Sequence, residues 1–304
     1  MSKYHISRRL QFIIQYVYDK KYASKEELID FLMTKDFNIS ERTLERDLRN
    51  IRTDFGIELS YNKGKNKYFI DQEKSVKVES FFKFLELVAL ADVFTDGLKD
   101  SHKILDYVTF DDSSKLKGIE NLEIILIAIK QDRKLHFTHH NYYNNTHKPY
   151  TVTPLIIKEY INRWYVIGVP DGLEEIRTFG IDRMSQIELD VLTHLNKGDY
   201  RNQLVQFDKI IGLNYSSEHP QHIVLKVNNH HINYLKSLPL HTSQQIHDCE
   251  DADYKLVSYD IIPNYEFEIQ ILKMSMEVEV VAPKTYRDKI KNIIKNIHNK
   301  YQDS

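Results

Sequence analysis

The amino-acid sequence predicts a multi-domain α+β protein, and three successive patterns along the chain indicate it. Residues 1–75 carry apolar residues at helical spacing, followed by two short alternating segments. Five short strand-like segments separated by turn residues lie within residues 133–195. Residues 196–304 alternate strand and helix patterns in the order β-α-β-β-α-β. We therefore divide the chain into segments 1–75, 76–132, 133–195 and 196–304.

Composition limits the class of protein. The chain has 304 residues, enough for two or three domains, and a formal net charge of −2, which fits neither a histone-like nor a strongly acidic protein. Residues 1–75 contain 15 Lys and Arg against 12 Asp and Glu, so this segment is near +3 and the remainder near −5. The single cysteine, Cys249, argues against a disulfide framework or a Cys-rich zinc site. With no apolar leader and no long apolar run, we expect a soluble cytoplasmic protein with no membrane contact.

The N-terminal segment predicts three helices. Apolar spacing indicates a first helix from about Ser7 to Lys20. Ser24, with Glu27 three residues later, forms a capping-box pattern that opens a second helix. Ser40 caps a third, which continues to Arg52.

The third helix separates apolar and basic side chains. At about 100° per residue, its leucines and isoleucine fall on one side and three arginines nearly opposite: Leu44, Leu48, Ile51; Arg42, Arg46, Arg49. Arginine suits bidentate contacts with guanine edges and phosphates. Ser40 and Thr43 lie at the helix start, where unsatisfied N–H groups also favour phosphate. The alternative is a solvent-exposed helix with Glu–Arg pairs.

Two alternating strands, Ile57–Tyr61 and Lys67–Ile70, flank a basic loop, and this order predicts a winged helix-turn-helix. The stretch Ile39–Leu48 resembles the recognition helix of bacterial winged-helix repressors, in which Ser-x-Arg-Thr-φ-x-Arg-Asp-φ recurs. The resemblance implies that the third helix enters the major groove of double-stranded DNA and that the loop lysines touch the backbone. The expected DNA-binding residues are Ser40, Arg42, Thr43, Arg46, Arg49, Lys63, Lys65 and Lys67.

The connector, residues 76–132, is mostly helical in pattern. Its first part is too apolar for a free surface helix, so a core helix and a dimer contact both remain open: Val78, Phe81, Phe82, Phe84, Leu85, Leu87, Val88, Leu90, Ala91. We expect loops at 99–102 and 111–114, and a last helix from Asn121 to Lys130.

The central segment predicts a small β-barrel. The run Arg163–Gly168 and the run Ile176–Arg183 are rich in aromatic and β-branched residues, and the turn residues Pro170-Asp171-Gly172 separate them. They predict two strands of an antiparallel hairpin. Three more strands, at Lys134–His139, Tyr150–Ile157 and Ile187–Leu192, complete five strands within about sixty residues.

The triplet Trp164-Tyr165-Val166 resembles the Trp-Tyr-Leu triplet of the WYL domain. Pro154 upstream and the pattern Arg177-x-Phe179-x-x-Asp182-Arg183 downstream match the spacing of that family. The resemblance implies an Sm-like, SH3-type barrel that acts as the sensor of bacterial transcription regulators, some linked to DNA damage and others to phage defence. It also implies a nucleic-acid or nucleotide-like effector. The sequence departs from the family where Val166 replaces leucine, Tyr150 replaces a common arginine and Phe137 a common tyrosine.

Strand alternation puts Trp164 and Val166 on one face and Tyr165 and Ile167 on the other. Arginines suit phosphates and aromatic rings suit base stacking, as single-stranded nucleic acid requires. We expect effector contacts from His139, Tyr150, Tyr165, Arg177, Phe179 and Arg183. The alternative is that Trp164, Tyr165 and Phe179 belong to the core, which we favour for Trp164, and that Arg183 pairs with Asp182 or a neighbour.

Metal and enzyme chemistry are not expected. Four histidines cluster in sequence, but His139 and His140 are adjacent in a strand and point to opposite faces, and no Cys or carboxylate joins them at ligand spacing: His136, His139, His140, His147. The sequence has no Gly-rich phosphate loop, Gly-x-Ser-x-Gly or His-Glu-x-x-His. We expect no cofactor and no catalytic residues.

The β-α-β-β-α-β order of residues 196–304 is ferredoxin-like and resembles the WCX-type extension that commonly follows WYL domains. That resemblance implies dimer contacts or help in enclosing the effector. Together these features predict a transcription regulator, a repressor, that binds an operator as a homodimer. The alternative is a nucleic-acid-binding accessory protein of a defence system without promoter specificity.

Overall fold

The computed structural model describes residues 3–75, 78, 81–83, 85–87, 117–215 and 218–302. The chain forms two compact units, Met1–Phe110 and Asp111–Ser304, in an α+β architecture with three antiparallel sheets among the described residues. The predicted helical positions Phe84, Val88, Leu90 and Ala91, and the predicted loops at 99–102 and 111–114, lie outside the described residues. No described helix is long and apolar enough to span a lipid bilayer.

Unit 1 has three helices and a β-hairpin in the predicted order: α1 (Lys3–Lys20), α2 (Lys25–Met33), α3 (Glu41–Phe55), β1 (Leu59–Asn62) and β2 (Lys67–Ile70). The capping box is confirmed, because the Ser24 hydroxyl accepts from the Glu27 N–H and the Ser24 N–H donates to the Glu27 carboxylate. Gly56 ends α3 in the left-handed region, with φ of 66°. The first strand begins two residues later than predicted, because its partner strand ends at Ile70, which pairs with Leu59.

The core of unit 1 is built from the apolar faces of its three helices, with Ile13, Leu28 and Leu44 fully buried. Burial of each such side chain contributes about 2 kcal/mol. From the connector, the described residues Val78, Phe81 and Leu85 are buried in this same core, and Phe82 packs against it. For these positions the core interpretation of the connector is therefore correct.

The first described elements of unit 2 are a 3-10 turn (Ile119–Asn121), α4 (Leu122–Lys130) and five antiparallel strands: β3 (Arg133–Asn141), β4 (Thr146–Tyr160), β5 (Arg163–Pro170), β6 (Arg177–Gly180) and β7 (Met184–Leu192). Their order in the sheet is β6-β5-β4-β3-β7. The prediction of one strand through Ile176–Arg183 is wrong at its end, because Ile181–Arg183 forms a 3-10 turn. The chain turns there because β6 pairs only with β5, whereas β7 pairs with β3 at the other edge of the sheet. Ile181, which is fully buried, anchors the turn in the core.

The remainder of unit 2 contains α5 (Arg201–Gln206) and then β8 (Gln221–Asn228), α6 (Asn229–Ser237), β9 (Gln245–Asp248), β10 (Tyr254–Ile261), α7 (Tyr265–Met274), β11 (Val278–Ala282) and α8 (Lys284–Asn299). From β8 onward this is the predicted β-α-β-β-α-β order. The four strands pair antiparallel in the order β11-β8-β10-β9. Alternate β8 residues, including Leu225, pack with Phe267 of α7 and Ile290 of α8 in one core.

The two faces of β5 belong to different cores, as the alternation predicts. Val166 lies in the core under α4, and Trp164 packs against that core at its margin. Ile167 lies in a separate core that joins the five-stranded sheet to Phe207 and Ile262 of the C-terminal part. The expected scaffold role of Trp164 agrees with this position.

Candidate nucleic-acid interface and effector site

Helix α3 of unit 1 is held by an ion pair inside the protein. Arg9 Nε lies 2.6 Å from Asp47 Oδ2, and Arg9 Nη2 lies 3.0 Å from Asp47 Oδ1. The side chains are 1% and 0% exposed. Such a bidentate pair fixes both distance and orientation. It therefore joins α3 to α1 with a geometry that apolar contacts alone would not specify.

Sequence reasoning missed this pair. The only local signal is that Asp47 lies three residues after Leu44 and four before Ile51, on the inner face of an otherwise apolar stripe. A carboxylate at such a position needs a buried partner. Nothing local identifies Arg9, which lies 38 residues away, as that partner.

The outer face of α3 presents the predicted arginines. Arg42, Arg46 and Arg49 are exposed, and the Arg46 side chain is 58% accessible. At the start of the helix the Ser40 hydroxyl accepts from the Thr43 N–H and lies 3.1 Å from the Thr43 hydroxyl. These side chains form one surface, which we call the α3 surface.

The three predicted hairpin lysines differ in their surroundings. Lys63 lies in the exposed turn between β1 and β2. The Lys65 ammonium lies 3.7 Å from the centre of the Tyr22 ring, a cation–π contact. Lys67 Nζ lies 2.6 Å from Glu27 Oε1, and this hydrogen bond lowers the pKa of Glu27. A DNA phosphate would therefore compete with the Glu27 carboxylate for the Lys67 ammonium. Lys63, by contrast, lies at the exposed tip of the hairpin.

In unit 2, four rings from three strands meet beside α4, and we call them the ring cluster: Phe137, His139, Tyr150 and Phe179. Phe179 is central, with ring centres 5.3 Å from Phe137, 5.4 Å from His139 and 5.1 Å from Tyr150, each in an edge-to-face arrangement. Phe137 and His139 share a face of β3, since they are two residues apart. Phe137 and Phe179 are 0% and 3% exposed, so these two rings form the inner wall, and Phe179 does not present a free stacking face.

Arg183 lies beside this cluster in the 3-10 turn. Its Nε is buried without a hydrogen-bond partner among the described residues, and the nearest carboxylate oxygen, Asp182 Oδ1, is 3.7 Å away. Asp182 has a shorter contact with Arg163, at 3.1 Å between Oδ2 and Nη1. On its other side the Arg183 guanidinium lies 5.2 Å from the Tyr142 ring centre. The Arg183–Asp182 pair of the alternative interpretation is thus present but long.

A glycine makes room for this guanidinium. A Cβ at Gly180 would lie 2.6 Å from Arg183 Nε and 2.7 Å from Asp182 Oδ1. Any side chain there would displace one of the two charged groups, although the Gly180 backbone itself is unstrained, with φ of −68°. The sequence gives no local sign of this contact.

His139 contributes a second buried polar atom. Its Nε2 has no hydrogen-bond partner among the described residues. Burial lowers the pKa of His139 to about 4, and the nearby Arg183 charge contributes to that lowering. The imidazole is therefore neutral at pH 7 and can accept or donate a hydrogen bond, depending on the tautomer.

The remaining predicted effector residues are spread more widely. Tyr165 lies on the opposite face of β5 from Val166. Burial raises the pKa of Tyr165, while Arg163 and Arg183 lower it, so both arginines lie within electrostatic range of this hydroxyl. Arg177 is exposed on β6, opposite Gly168, and has no ion pair within the described part of the chain. The structure thus brings His139, Tyr150, Phe179 and Arg183 together, with Tyr165 near Arg183, and leaves Arg177 outside that group.

Comparison with known proteins identifies the central segment. The family described as the WYL domain matches residues 120–189. No match was found among curated proteins. Among solved structures, the chain is similar to proteasome accessory factor B/C (PafBC) of Arthrobacter aurescens, with 15% identity, a TM-score of 0.28 and coverage of 94% of this chain and 45% of that one. It is also similar to a CRISPR Cas-related protein, with 11% identity, a TM-score of 0.40 and coverage of 61% and 53%.

The chain therefore spans about half the length of these two structures. The family match begins just before α4 and ends within β7, so it contains the ring cluster, Gly180 and Arg183. Residues 120–189 of this chain are a WYL domain.

Proposed function

We propose that this protein is a transcription regulator that binds double-stranded DNA through the α3 surface. The observation that carries the proposal is the set of three exposed arginines on one helix whose opposite face is fixed by the Arg9–Asp47 pair. Arginine side chains on a rigid helix suit the base edges of the major groove. The order of three helices and a hairpin supports a winged helix-turn-helix, in which Lys63 and its neighbours contact the DNA backbone.

The protein acts as a homodimer. A single recognition helix reads only a few base pairs, so two half-sites are needed for operator specificity. Binding by two copies also doubles the energetic effect of each recognition residue. We take the protein to be a repressor, and the WYL domain supports a role in a stress or phage-defence locus.

The WYL domain senses a nucleic-acid or nucleotide-like effector. Arg183 and His139 each carry a buried nitrogen without a hydrogen-bond partner among the described residues, and both adjoin aromatic rings. A guanidinium suits phosphate, and Tyr150 and Tyr142 offer rings for base stacking. Such an effector changes DNA affinity only if it binds more tightly to one arrangement of the two DNA-binding units.

The test is an electrophoretic mobility shift and footprint on DNA upstream of the protein's own coding sequence. Arg42→Ala or Arg46→Ala should each cost about 1–3 kcal/mol per half-site, and hence roughly 30-fold or more in a dimer. Sedimentation should show an unchanged oligomeric state. Arg52→Ala is the matched control, because Arg52 lies on the same helix but pairs with Glu58 at 2.8 Å.

Two results would contradict the proposal. Equal affinity of the Arg42, Arg46 and Arg52 variants would remove the recognition role of the α3 surface. Protection scattered along the fragment, without sequence preference, would instead favour a nucleic-acid-binding accessory protein of a defence system.

A further inference from the structure

The C-terminal part of unit 2 carries an open apolar groove that lies outside the WYL domain. It runs between the end of α7, strand β11 and helix α8, and its volume is about 510 Å³. Ile271, Val280 and Ile290 form its floor, which is continuous with the core of the four-stranded sheet. Its rim includes Met276, Ile294 and Ile297, which are 94%, 53% and 43% exposed.

The exposed isoleucines continue an apolar stripe along α8. Ile290, Ile294, Ile297 and Tyr301 follow one another at spacings of four, three and four residues, so they share one face. Ile290 is buried against the sheet, whereas Tyr301, just beyond the helix, is 81% exposed. The stripe therefore continues past the surface that the domain itself covers. A stripe of this period is what one helix presents to another.

The neighbouring sheet edge is closed to an added strand. β11 is an edge strand, and its Val280 carbonyl accepts a hydrogen bond from Arg287 Nη1 at 2.7 Å. The same guanidinium donates to Glu279 at 2.5 Å. An incoming strand would have to displace Arg287 from a backbone acceptor. A helix lying along α8 would leave this contact intact, so the groove favours a helical occupant.

The charge of α8 determines which helix fits. Between Lys284 and Asn299 the helix carries five Lys and Arg residues and one acidic residue, Asp288, and two of the five cations are already paired with glutamates of the domain. Lys291 lines the groove, and Lys295 follows one turn later on the same flank of the isoleucine stripe. Two copies of α8 packed on each other would bring like charges together, whereas an acidic helix would be attracted.

We propose that this groove binds an amphipathic helix with an acidic flank, contributed by a partner protein. Its apolar side chains lie against Ile290, Ile294 and Ile297, and its carboxylates lie beside Lys291 and Lys295. The groove shares no residue with either the α3 surface or the WYL domain. It gives the protein a protein-binding surface in addition to the proposed nucleic-acid ones.

The experiment measures fluorescence anisotropy of a labelled synthetic helical peptide against the full-length protein. The peptide has about twenty residues, with leucines at i, i+3, i+4 and i+7 and glutamates on the flank. A peptide of the same composition with scrambled leucine spacing, and one with lysines in place of the glutamates, serve as controls. We expect binding of the acidic peptide only, weaker at high salt because the charges are exposed.

Variants then test the groove itself. Ile294→Asp and Ile297→Asp should each lower affinity for the acidic peptide at least about 10-fold, since each buries a charge in an apolar contact. Leu238→Asp is the matched control, because Leu238 is 78% exposed at the end of α6 and should leave affinity unchanged. The double variant Lys291→Glu, Lys295→Glu should reverse the preference and bind the lysine peptide.

Four outcomes would overturn the proposal. Equal binding of the acidic and lysine peptides, or affinity unaffected by Ile294→Asp, would remove the groove as a selective site. Absence of peptide binding would do the same. A change in the sedimentation coefficient of the protein alone on Ile294→Asp would mean that the groove is an interface between copies of this chain.

Discussion

Removal of one partner from the Arg9–Asp47 pair should destabilise unit 1 more than any surface substitution there. Both side chains are almost fully buried and are joined by two hydrogen bonds. Asp47→Asn keeps the shape of the side chain but leaves the Arg9 charge in the core without its carboxylate. Loss of one member of a buried pair costs about 3–5 kcal/mol, a large part of the roughly 5–15 kcal/mol that stabilises a typical domain.

The double variant Arg9→Met, Asp47→Leu should behave differently. It removes both charges and fills the space with apolar atoms, and such replacements are often neutral or stabilising. We therefore expect its free energy of unfolding to lie within about 1 kcal/mol of the parent protein, with a coupling energy of several kcal/mol in the double-mutant cycle. A surface pair, Arg52–Glu58, provides the comparison, since loss of such a pair costs about 0–1 kcal/mol.

The assay must report on unit 1 alone. Amide hydrogen exchange of peptides from α1 and α3, read by mass spectrometry, measures local opening there. Trp164 is the only tryptophan and lies in unit 2, so its fluorescence during urea unfolding is an internal control that should not change. If Asp47→Asn costs less than about 1 kcal/mol, or if the double variant is as unstable as the single one, the ion pair does not hold α3 to α1.

Further predictions concern the effector site and the hairpin. His139 has a pKa of about 4 in the folded protein against 6.5 for an unperturbed histidine, so the unfolded chain binds more protons between these two pH values. The contribution of His139 to the stability of unit 2 is therefore complete above pH 6.5 and is lost as the pH falls towards 4. With solvent screening allowed for, the loss is roughly 2 kcal/mol. Trp164 fluorescence during urea unfolding measures it, and His139→Phe should flatten the profile; an unchanged slope would contradict the assignment. Gly180→Ala and Arg183→Ala should both abolish the effector response and leave basal DNA affinity unchanged. Mobility-shift assays with and without an added oligonucleotide effector measure both quantities. A response retained in Gly180→Ala would mean that the position of the Arg183 guanidinium does not matter. Lys63→Ala should reduce the slope of log DNA affinity against log salt concentration by about 1. Lys67→Ala should reduce this slope less, because Lys67 pairs with Glu27. Equal slopes for the two variants would show that the Glu27 pair does not limit the contact of Lys67 with DNA.

Local rules account for the parts of the molecule that sequence predicted well. The second helix follows from a serine and a glutamate three residues apart, and the faces of α3 follow from residue spacing. Likewise the alternation along β5 separates Val166 and Ile167 into two cores. Each of these inferences uses residues that are close together in the sequence, where backbone geometry determines which side chains are neighbours.

The parts that sequence missed depend on contacts between distant residues. Asp47 has an uncommon position for a carboxylate, but its partner lies 38 residues away. The run Ile176–Arg183 has a strand-like composition throughout. Strand β6 nevertheless ends at Gly180, because the chain crosses from one sheet edge to the other. The proximity of Gly180 to Arg183 Nε arises from that turn and has no signature in residue types.

That turn would let Arg183 combine a structural role with the proposed ligand-binding role. Asp182 lies between two arginines, with Arg163 at 3.1 Å and Arg183 at 3.7 Å. If an effector phosphate takes the Arg183 guanidinium, Asp182 keeps Arg163 and is not left as an unpaired carboxylate, which would be costly at 10% exposure. The exchange of partners therefore needs little reorganisation. Burial raises the pKa of Tyr165, and the charges of Arg163, Arg183 and Glu266 of α7 also act on its hydroxyl, so such an exchange would alter the electrostatic field at this tyrosine. We expect the effector response to pass through this tyrosine, so Tyr165→Phe should weaken it without changing basal DNA affinity in the same mobility-shift assay.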